Sequence, residues 1–235
     1  MYTQTDVNNL NQQFKKASPE EVIRFFLQAY GNRIALSSSL GLEDQVLTHM
    51  LLNISSKARI FTLDTGRLFP ETYQLLDKTN LKYAIKMEVF FPRHDLVEEM
   101  VNKEGINLFY EGIDKRKRCC HIRKIEPLQR AFQTLDAWIC GLRQEQSVTR
   151  SNLHCVEWDE LNGKLKINPL IHWTEKQVWE YIKANRVPYN VLHDREYPSI
   201  GCQPCTRAVK AGEDLRAGRW WWESPEHKEC GLHKK

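Results

Sequence analysis

Apolar positions along this chain alternate between two periods, and each change of period marks a change of element. Ser18-Pro-Glu-Glu21 sets serine at an N-cap, proline at the first helical position and glutamate three residues on, a capping box. Val22, Ile23, Phe25, Phe26 and Tyr30 then share one helical face, which predicts a helix over 19–30 ended by Gly31. Arg33-Ile-Ala-Leu-Ser37 reads as a short buried strand, and Val46, Leu47, Met50 and Leu51 return to helical spacing. The alternation continues with a strand over 59–64, a helix through Tyr73, Leu75 and Leu76, and a strand over 83–90. Asp95 is the expected cap of a helix through Leu96, Val97 and Met100, and Leu128, Ala131, Phe132 and Leu135 form another helical face. Strands are predicted over 137–141 and 164–170. A second capping box, Thr174-Glu-Lys-Gln177, opens a helix carrying Val178, Trp179, Tyr181 and Ile182.

Strands alternating with helices to about residue 186 predict an α/β fold, a mainly parallel sheet flanked by helices. From Pro188 the pattern is irregular and rich in Pro, Gly and Trp. The expected organisation is therefore an α/β domain over 1–186 with a C-terminal segment over 187–235 that belongs to it and does not fold independently.

Composition changes this picture little. With 41% apolar and 27% charged residues the chain reads as soluble and globular. No apolar run approaches the roughly 20 residues of a membrane span, and the N-terminus lacks the apolar stretch of a secretory signal, so a cytoplasmic protein with no membrane partner is expected. A formal charge of +4 suits an anionic small molecule at least as well as nucleic acid. Seven cysteines in a chain without an export signal favour metal or redox chemistry over a disulfide framework.

Three stretches at predicted strand ends suit an anion. Ser37-Ser38-Ser39-Leu40-Gly41-Leu42-Glu43-Asp44 joins a strand to a helix N-terminus, where backbone N–H groups, hydroxyls and the helix dipole favour negative charge. It lacks the Gly-Lys-Ser/Thr of a Walker loop and the glycines of a dinucleotide fingerprint, and an ordinary serine-rich turn is the plain alternative. Asp64-Thr65-Gly66-Arg67 ends the second strand, where α/β sheets bind ligands. Arg143 to Ser147 follows the strand over 137–141.

The cysteines fall into classes. Cys140 and Cys155 sit among apolar residues and read as small core side chains. Cys119 and Cys120 are adjacent, between Lys115-Arg-Lys-Arg118 and Arg123-Lys124, and Cys202 and Cys205 form a Cys-x-x-Cys. Structural zinc suits the second pair, but adjacent cysteines converge poorly on one tetrahedral ion. A redox dithiol at Cys202 and Cys205 lacks the strand that should precede it. An iron–sulfur cubane, with four irons at separate corners reachable from two loops, accommodates both pairs. Cys230 stands apart near the chain end, where His227, Lys228, His233 and Lys234 favour a thiolate.

These motifs, in this order, resemble the assimilatory adenylyl-sulfate reductases, relatives of the phosphoadenylyl-sulfate reductases within the ATP-pyrophosphatase-like (adenine nucleotide alpha hydrolase-like) fold. The resemblance covers about residues 20–235 and adds Gly141-Leu-Arg143 and Glu229-Cys-Gly-Leu-His233 to the stretches above. It implies reduction of adenylyl sulfate to sulfite and AMP, with Cys230 as nucleophile and Lys124, Arg216 and Arg219 as cations at the sulfate. It further implies a nucleotide held by Ser37, Ser38, Ser39, Gly41, Glu43, Asp44, Asp64, Thr65, Gly66, Arg67, Arg143 and Ser147. Cys119, Cys120, Cys202 and Cys205 would ligate a [4Fe–4S] cluster, and thioredoxin or glutaredoxin would supply electrons. Phosphoadenylyl sulfate is the alternative substrate, and a homo-oligomer is compatible. The rival from another class is a zinc-stabilised nucleic-acid-binding module using residues 115–118 and Trp220, Trp221 and Trp222; the small net charge weighs against it.

Overall fold

A computed structural model describes residues 3–146 and 153–224. The chain runs α1 (Gln4–Gln13), α2 (Pro19–Tyr30), β1 (Ile34–Ser38), α3 (Leu42–Ile54), β2 (Arg59–Leu63), α4 (Pro70–Tyr83) and β3 (Glu88–Phe90). It continues through α5 (His94–Glu104), α6 (Ile113–Cys120), a π-helical turn over His121–Ile125, α7 (Glu126–Phe132), β4 (Ala137–Ile139), β5 (Val156–Asp159), β6 (Lys164–Ile167) and α8 (Glu175–Ala184).

The strands form one six-stranded sheet in the order β3-β2-β1-β4-β6-β5. β1 pairs in parallel with β2 and β4, and β4 with β6, while the edge strand β5 runs antiparallel to β6. Both predicted capping boxes form: Ser18 Oγ accepts from Glu21 N and the Thr174 side chain from Gln177 N.

Several boundaries differ from the sequence expectation for local reasons. The strand expected over 83–90 shrinks to β3 because α4 continues through Tyr83. Ala84 then takes φ +52° and Ile85 N donates to Asn80 O, a left-handed helix ending that consumes residues up to 85. Asp95 does not cap α5; Arg93 occupies the N-cap, and Asp95 lies in the first turn, ion-paired to Arg93 and favoured there by the helix dipole. Helix α1 went unread because Val7 is its one buried residue, too little for a periodic apolar signal. The first cysteine pair lies at the end of a helix rather than in a loop.

By internal packing the chain divides into two compact units. The first comprises Met1–Thr62, Gln74–Glu88 and Thr134–Asn190; the second comprises Leu63–Tyr73, Val89–Gln133 and Val191–Lys235. In the first, Ile34, Leu36, Val46, Leu47, Ile139 and Ile167 are buried around β1, β4 and β6, each contributing on the order of 1.5–3 kcal/mol by leaving water. In the second, Met100, Leu108, Phe109, Ile122 and Trp220 pack with Cys120 and Cys205, so two of the predicted ligands are core residues. No helix among the described residues is long and apolar enough to cross a membrane.

Candidate functional site

In the first unit the loop after β1 is built on internal hydrogen bonds. Ser38 Oγ accepts from Leu40 N at 3.1 Å, and Leu40 takes φ +61°, a left-handed backbone costing about 1–3 kcal/mol in a non-glycine residue. Ser39 points its two donors inward: its N–H and its hydroxyl both reach Asp44 Oδ2, at 2.6 and 2.7 Å. Asp44 Oδ1 accepts from Gly141 N at 3.2 Å, so one buried carboxylate joins the loops after β1 and β4. Gly141 is required by this approach, since a Cβ there would lie 2.5 Å from Asp44 Oδ1 and 2.8 Å from Glu43 Cβ. Burial pushes the Asp44 carboxyl up from 3.8 to about 6; the hydrogen bonds from Ser39 oppose the rise and the Glu43 charge adds to it. Glu43 in turn accepts from Arg143 Nε at 2.7 Å, a pair held largely out of solvent. Ser37 is half-buried on β1, and Gly41 is the N-cap of α3. Ser147 lies outside the described residues.

In the second unit, the segment after β2 makes a tight turn. Asp64 Oδ1 accepts from Gly66 N at 2.7 Å and from the Tyr73 hydroxyl at 2.9 Å, and Thr65 Oγ1 accepts from Arg67 N at 3.2 Å. Gly66 has φ +67°, which favours glycine. Arg67 donates to Ile106 O and Asn107 Oδ1 and lies over the Phe109 ring, which fixes it to the 106–109 segment.

All four predicted ligands line one cavity in this unit. Cys119, Cys120, Cys202 and Cys205 share it with Arg67, Arg116, Arg123, Lys124 and Arg219, and with the apolar surfaces of Phe109, Pro204 and Trp220. The cavity holds about 390 Å³ of space, part of it open to solvent. None of the four is in a disulfide. The Thr65 hydroxyl lies 3.2 Å from Cys202 Sγ, Arg123 hydrogen-bonds Cys119, and Arg116 hydrogen-bonds Cys120. Burial pushes the Cys205 thiol up to about 12, with the neighbouring Cys202 and Cys120 adding to it, and raises Cys119 as well. Left alone, such buried thiols are protonated; they become thiolates when positive charge replaces the lost water.

This donor set fits a metal group held by thiolates. Among the described residues no three His, Cys, Asp or Glu side chains converge closely enough to share a single ion. Four cysteine sulfurs around one cavity are the soft donor chemistry that a thiolate-held metal group requires.

Of the cations predicted at the sulfate, Lys124 and Arg219 line the cavity, whereas Arg216 is half-buried and not among the lining residues. Cys230 lies outside the described residues. Sequence reading missed the part played by Arg116 and Arg123. Arg123 is 7% exposed, and its Nη1 donates to Thr65 O at 2.6 Å. The basic run was an ambiguous signal, because Lys115 and Arg118 are ordinary exposed partners of Glu111 and Glu104 while Arg116 between them is fully buried. The π-helical turn after Cys120, a form that recurs at functional sites, places Arg123 and Lys124.

Comparison with known proteins follows the same geometry. The phosphoadenosine phosphosulfate reductase domain matches residues 33–208. The adenosine 5'-phosphosulfate reductase of Burkholderia cepacia is 53% identical over 202 residues, covering 86% of this chain and 81% of that one. The enzyme of the same name from Agrobacterium fabrum is 44% identical over 208 residues, covering 88% and 80%. Among solved structures, the phosphate complex of phosphoadenylyl-sulfate reductase from Candida auris superposes with a TM-score of 0.77 at 30% identity, covering 89% of this chain and 98% of that one. Candida glabrata FMN adenylyltransferase, at 16% identity and a TM-score of 0.56 over 97% and 78% of the two chains, shares the fold alone. The expected adenine nucleotide alpha hydrolase-like architecture is therefore the observed one. On this mainly parallel sheet with polar loops at its strand ends, the domain match over residues 33–208 shows that the chain belongs to the phosphoadenosine phosphosulfate reductase family.

Proposed function

We propose that this protein reduces adenylyl sulfate to sulfite and AMP in assimilatory sulfate reduction. The observation that carries the reading is the single cavity lined by Cys119, Cys120, Cys202 and Cys205 together with Lys124 and Arg219. The relatives named adenosine 5'-phosphosulfate reductase, at 44–53% identity, support adenylyl sulfate over its 3′-phosphorylated form.

In this reading, the nucleotide is held by Ser37, Ser38, Ser39, Gly41 and Arg143, with Ser147 expected from the resemblance alone. Glu43 and Asp44 brace that loop rather than meet an anion directly, since a carboxylate repels phosphate. Lys124, Arg216 and Arg219 offset the sulfate's charge so that a thiolate can approach. The Cys230 thiolate attacks sulfur, the S–O bond to AMP breaks, and an S-sulfocysteine forms; this divides one hard substitution into two. A thiolate of a thioredoxin-type or glutaredoxin-type dithiol then attacks the Cys230 sulfur, and sulfite leaves with the electron pair of the S–S bond. A [4Fe–4S] cluster on the four cysteines would supply fixed charge beside Lys124, while the dithiol supplies the two electrons. Mass spectrometry after mixing with adenylyl sulfate and no reductant tests the reading: one sulfo group should appear on the C-terminal peptide, and its absence there overturns the mechanism. Steady-state rates on both nucleotides decide between the two substrates.

The Asp44 brace gives a pH prediction. Its ionised carboxylate accepts three hydrogen bonds from the loops. AMP affinity should therefore be flat above about pH 7 and weaken as pH falls through about 6, where Asp44 takes up a proton. The folded value lies above the ordinary 3.8, so over this window protonation of Asp44 favours the folded state; the loss is one of binding, not of stability. Asp44→Asn should bind weakly and keep only the slope that AMP's own phosphate, titrating at about pH 6, imposes. Calorimetric titration with AMP from pH 5 to 8 checks both, and a wild type that binds equally at pH 5 and 8 removes the brace from recognition.

A further inference from the structure

The two cysteine pairs come from different elements. Cys119 and Cys120 end α6, whereas Cys202 and Cys205 bound a short turn far along the chain. A buried ion pair spans the two. Arg116 precedes Cys120 by one helical turn, on the same face of α6, and hydrogen-bonds it. Its side chain is fully buried, and that of its partner Glu223 is 3% exposed. Nε reaches Oε1 at 2.9 Å and Nη2 reaches Oε2 at 2.7 Å, a bidentate pair. Glu223 is joined in turn to the other cysteines. Its N–H donates to Trp220 O at 2.8 Å, and the backbone N–H of Trp220 donates to Cys205 O at 3.1 Å. The Trp220 ring lies 4.8 Å from the Arg116 guanidinium and limits its rotation. A chain of direct contacts therefore runs from Cys120 through Arg116, Glu223 and Trp220 to Cys205.

Stability alone is a poor reason for this arrangement. Burying two charges forfeits hydration that their attraction scarcely recovers, and an apolar pair of similar volume often does as well. What a buried bidentate pair does supply is a single, fixed geometry. Around metal sites, partners of this kind orient the ligands and tune the metal.

We propose that Arg116 and Glu223 form a clasp that sets the two cysteine pairs at one separation and holds Cys120 oriented toward the cavity. Both are positioning residues for the ligands of a metal group. Arg116 acts on Cys120 directly, and Glu223 acts through Arg116 and Trp220. The inference rests on the reading above that the four cysteines hold an iron–sulfur cluster.

Glu223→Gln tests it, because glutamine keeps the size and one acceptor oxygen but opposes an amide NH2 to the second arginine donor. The whole chain, purified anaerobically, is compared with wild type by iron content, by the rate at which a chelator withdraws that iron, and by the Fe–S stretching bands in resonance Raman spectra. Iron should be present, its withdrawal faster by about tenfold, and the bands shifted, because hydrogen bonds to a ligating sulfur tune the metal group. Withdrawal at the wild-type rate would overturn the proposal. So would faster withdrawal with unshifted bands, which assigns the pair to packing alone. A folded variant without iron would overturn it as well, since the pair would then be indispensable to the site rather than a clasp upon it. If the glutamine variant fails to fold, the double variant Arg116→Met with Glu223→Leu, which removes both charges at similar volume, should fold and show the same faster withdrawal and shifted bands. Wild-type values there overturn the proposal equally. A wild type without iron defeats the functional reading itself, and this inference with it; an iron-bearing wild type whose variants behave like the parent defeats the inference alone.

Discussion

Cys230→Ser should bind AMP as the parent protein does, keep the same metal content and form no sulfite. A serine hydroxyl is protonated at neutral pH and is a far weaker nucleophile than a thiolate, so the loss should be at least about a thousandfold, the scale seen when an enzyme loses its nucleophile. The variant separates Cys230 from the other six cysteines. Cys140 and Cys155 are buried, and burial pushes the Cys155 thiol up to about 12, which makes it inert toward alkylation and attack. Sulfite production assayed with adenylyl sulfate and a thioredoxin-type reductant, beside AMP titration, checks the prediction. Undiminished turnover in the serine variant would exclude Cys230 from the mechanism.

Cys120→Ser should remove the metal group and, with it, most of the activity. Wild-type protein purified without oxygen should be brown, with a broad visible band and about four irons per chain. A serine oxygen is a hard donor where a soft metal group needs sulfur. The substitution also falls inside a packed core shared with Met100, Phe109, Ile122 and Trp220, so a lower melting temperature should accompany the loss of colour. Cys120 also hydrogen-bonds the buried Arg116, so the substitution disturbs that neighbour as well. Iron analysis, the visible spectrum and a thermal melt give the three readouts. A serine variant that keeps full iron removes Cys120 from the ligand set, and a colourless wild type with a single zinc favours the nucleic-acid-binding rival.

The elements that sequence made legible are those whose signal is local. The capping boxes at Ser18 and Thr174 announce themselves because the cap and its partner are three residues apart. The apolar runs of β1, β2 and β4 announce a sheet because both faces of those strands are covered. Helix α6 stayed hidden because a run of four basic residues masks its one buried arginine. The short β3 was overdrawn because the left-handed end of α4 carries apolar residues that mimic a strand.

The same division applies to the site. The amino-acid sequence by itself determined which residues could do the chemistry: two cysteine pairs, flanking cations, polar strand-end loops and a cysteine close to the chain end, with a resemblance that named their order. Only the tertiary structure decided which of them meet. Cys119 and Cys205 are 86 positions apart, and no local rule relates them; long-range packing of α6 against the Cys-x-x-Cys segment brings them to one cavity. Packing likewise sets the Asp44 carboxylate between two loops, and makes Arg116, one of four successive cations, the buried partner of Glu223. The physical reason is that burial, not residue type, sets whether a charge faces water or another charge, and burial is a property of the whole fold.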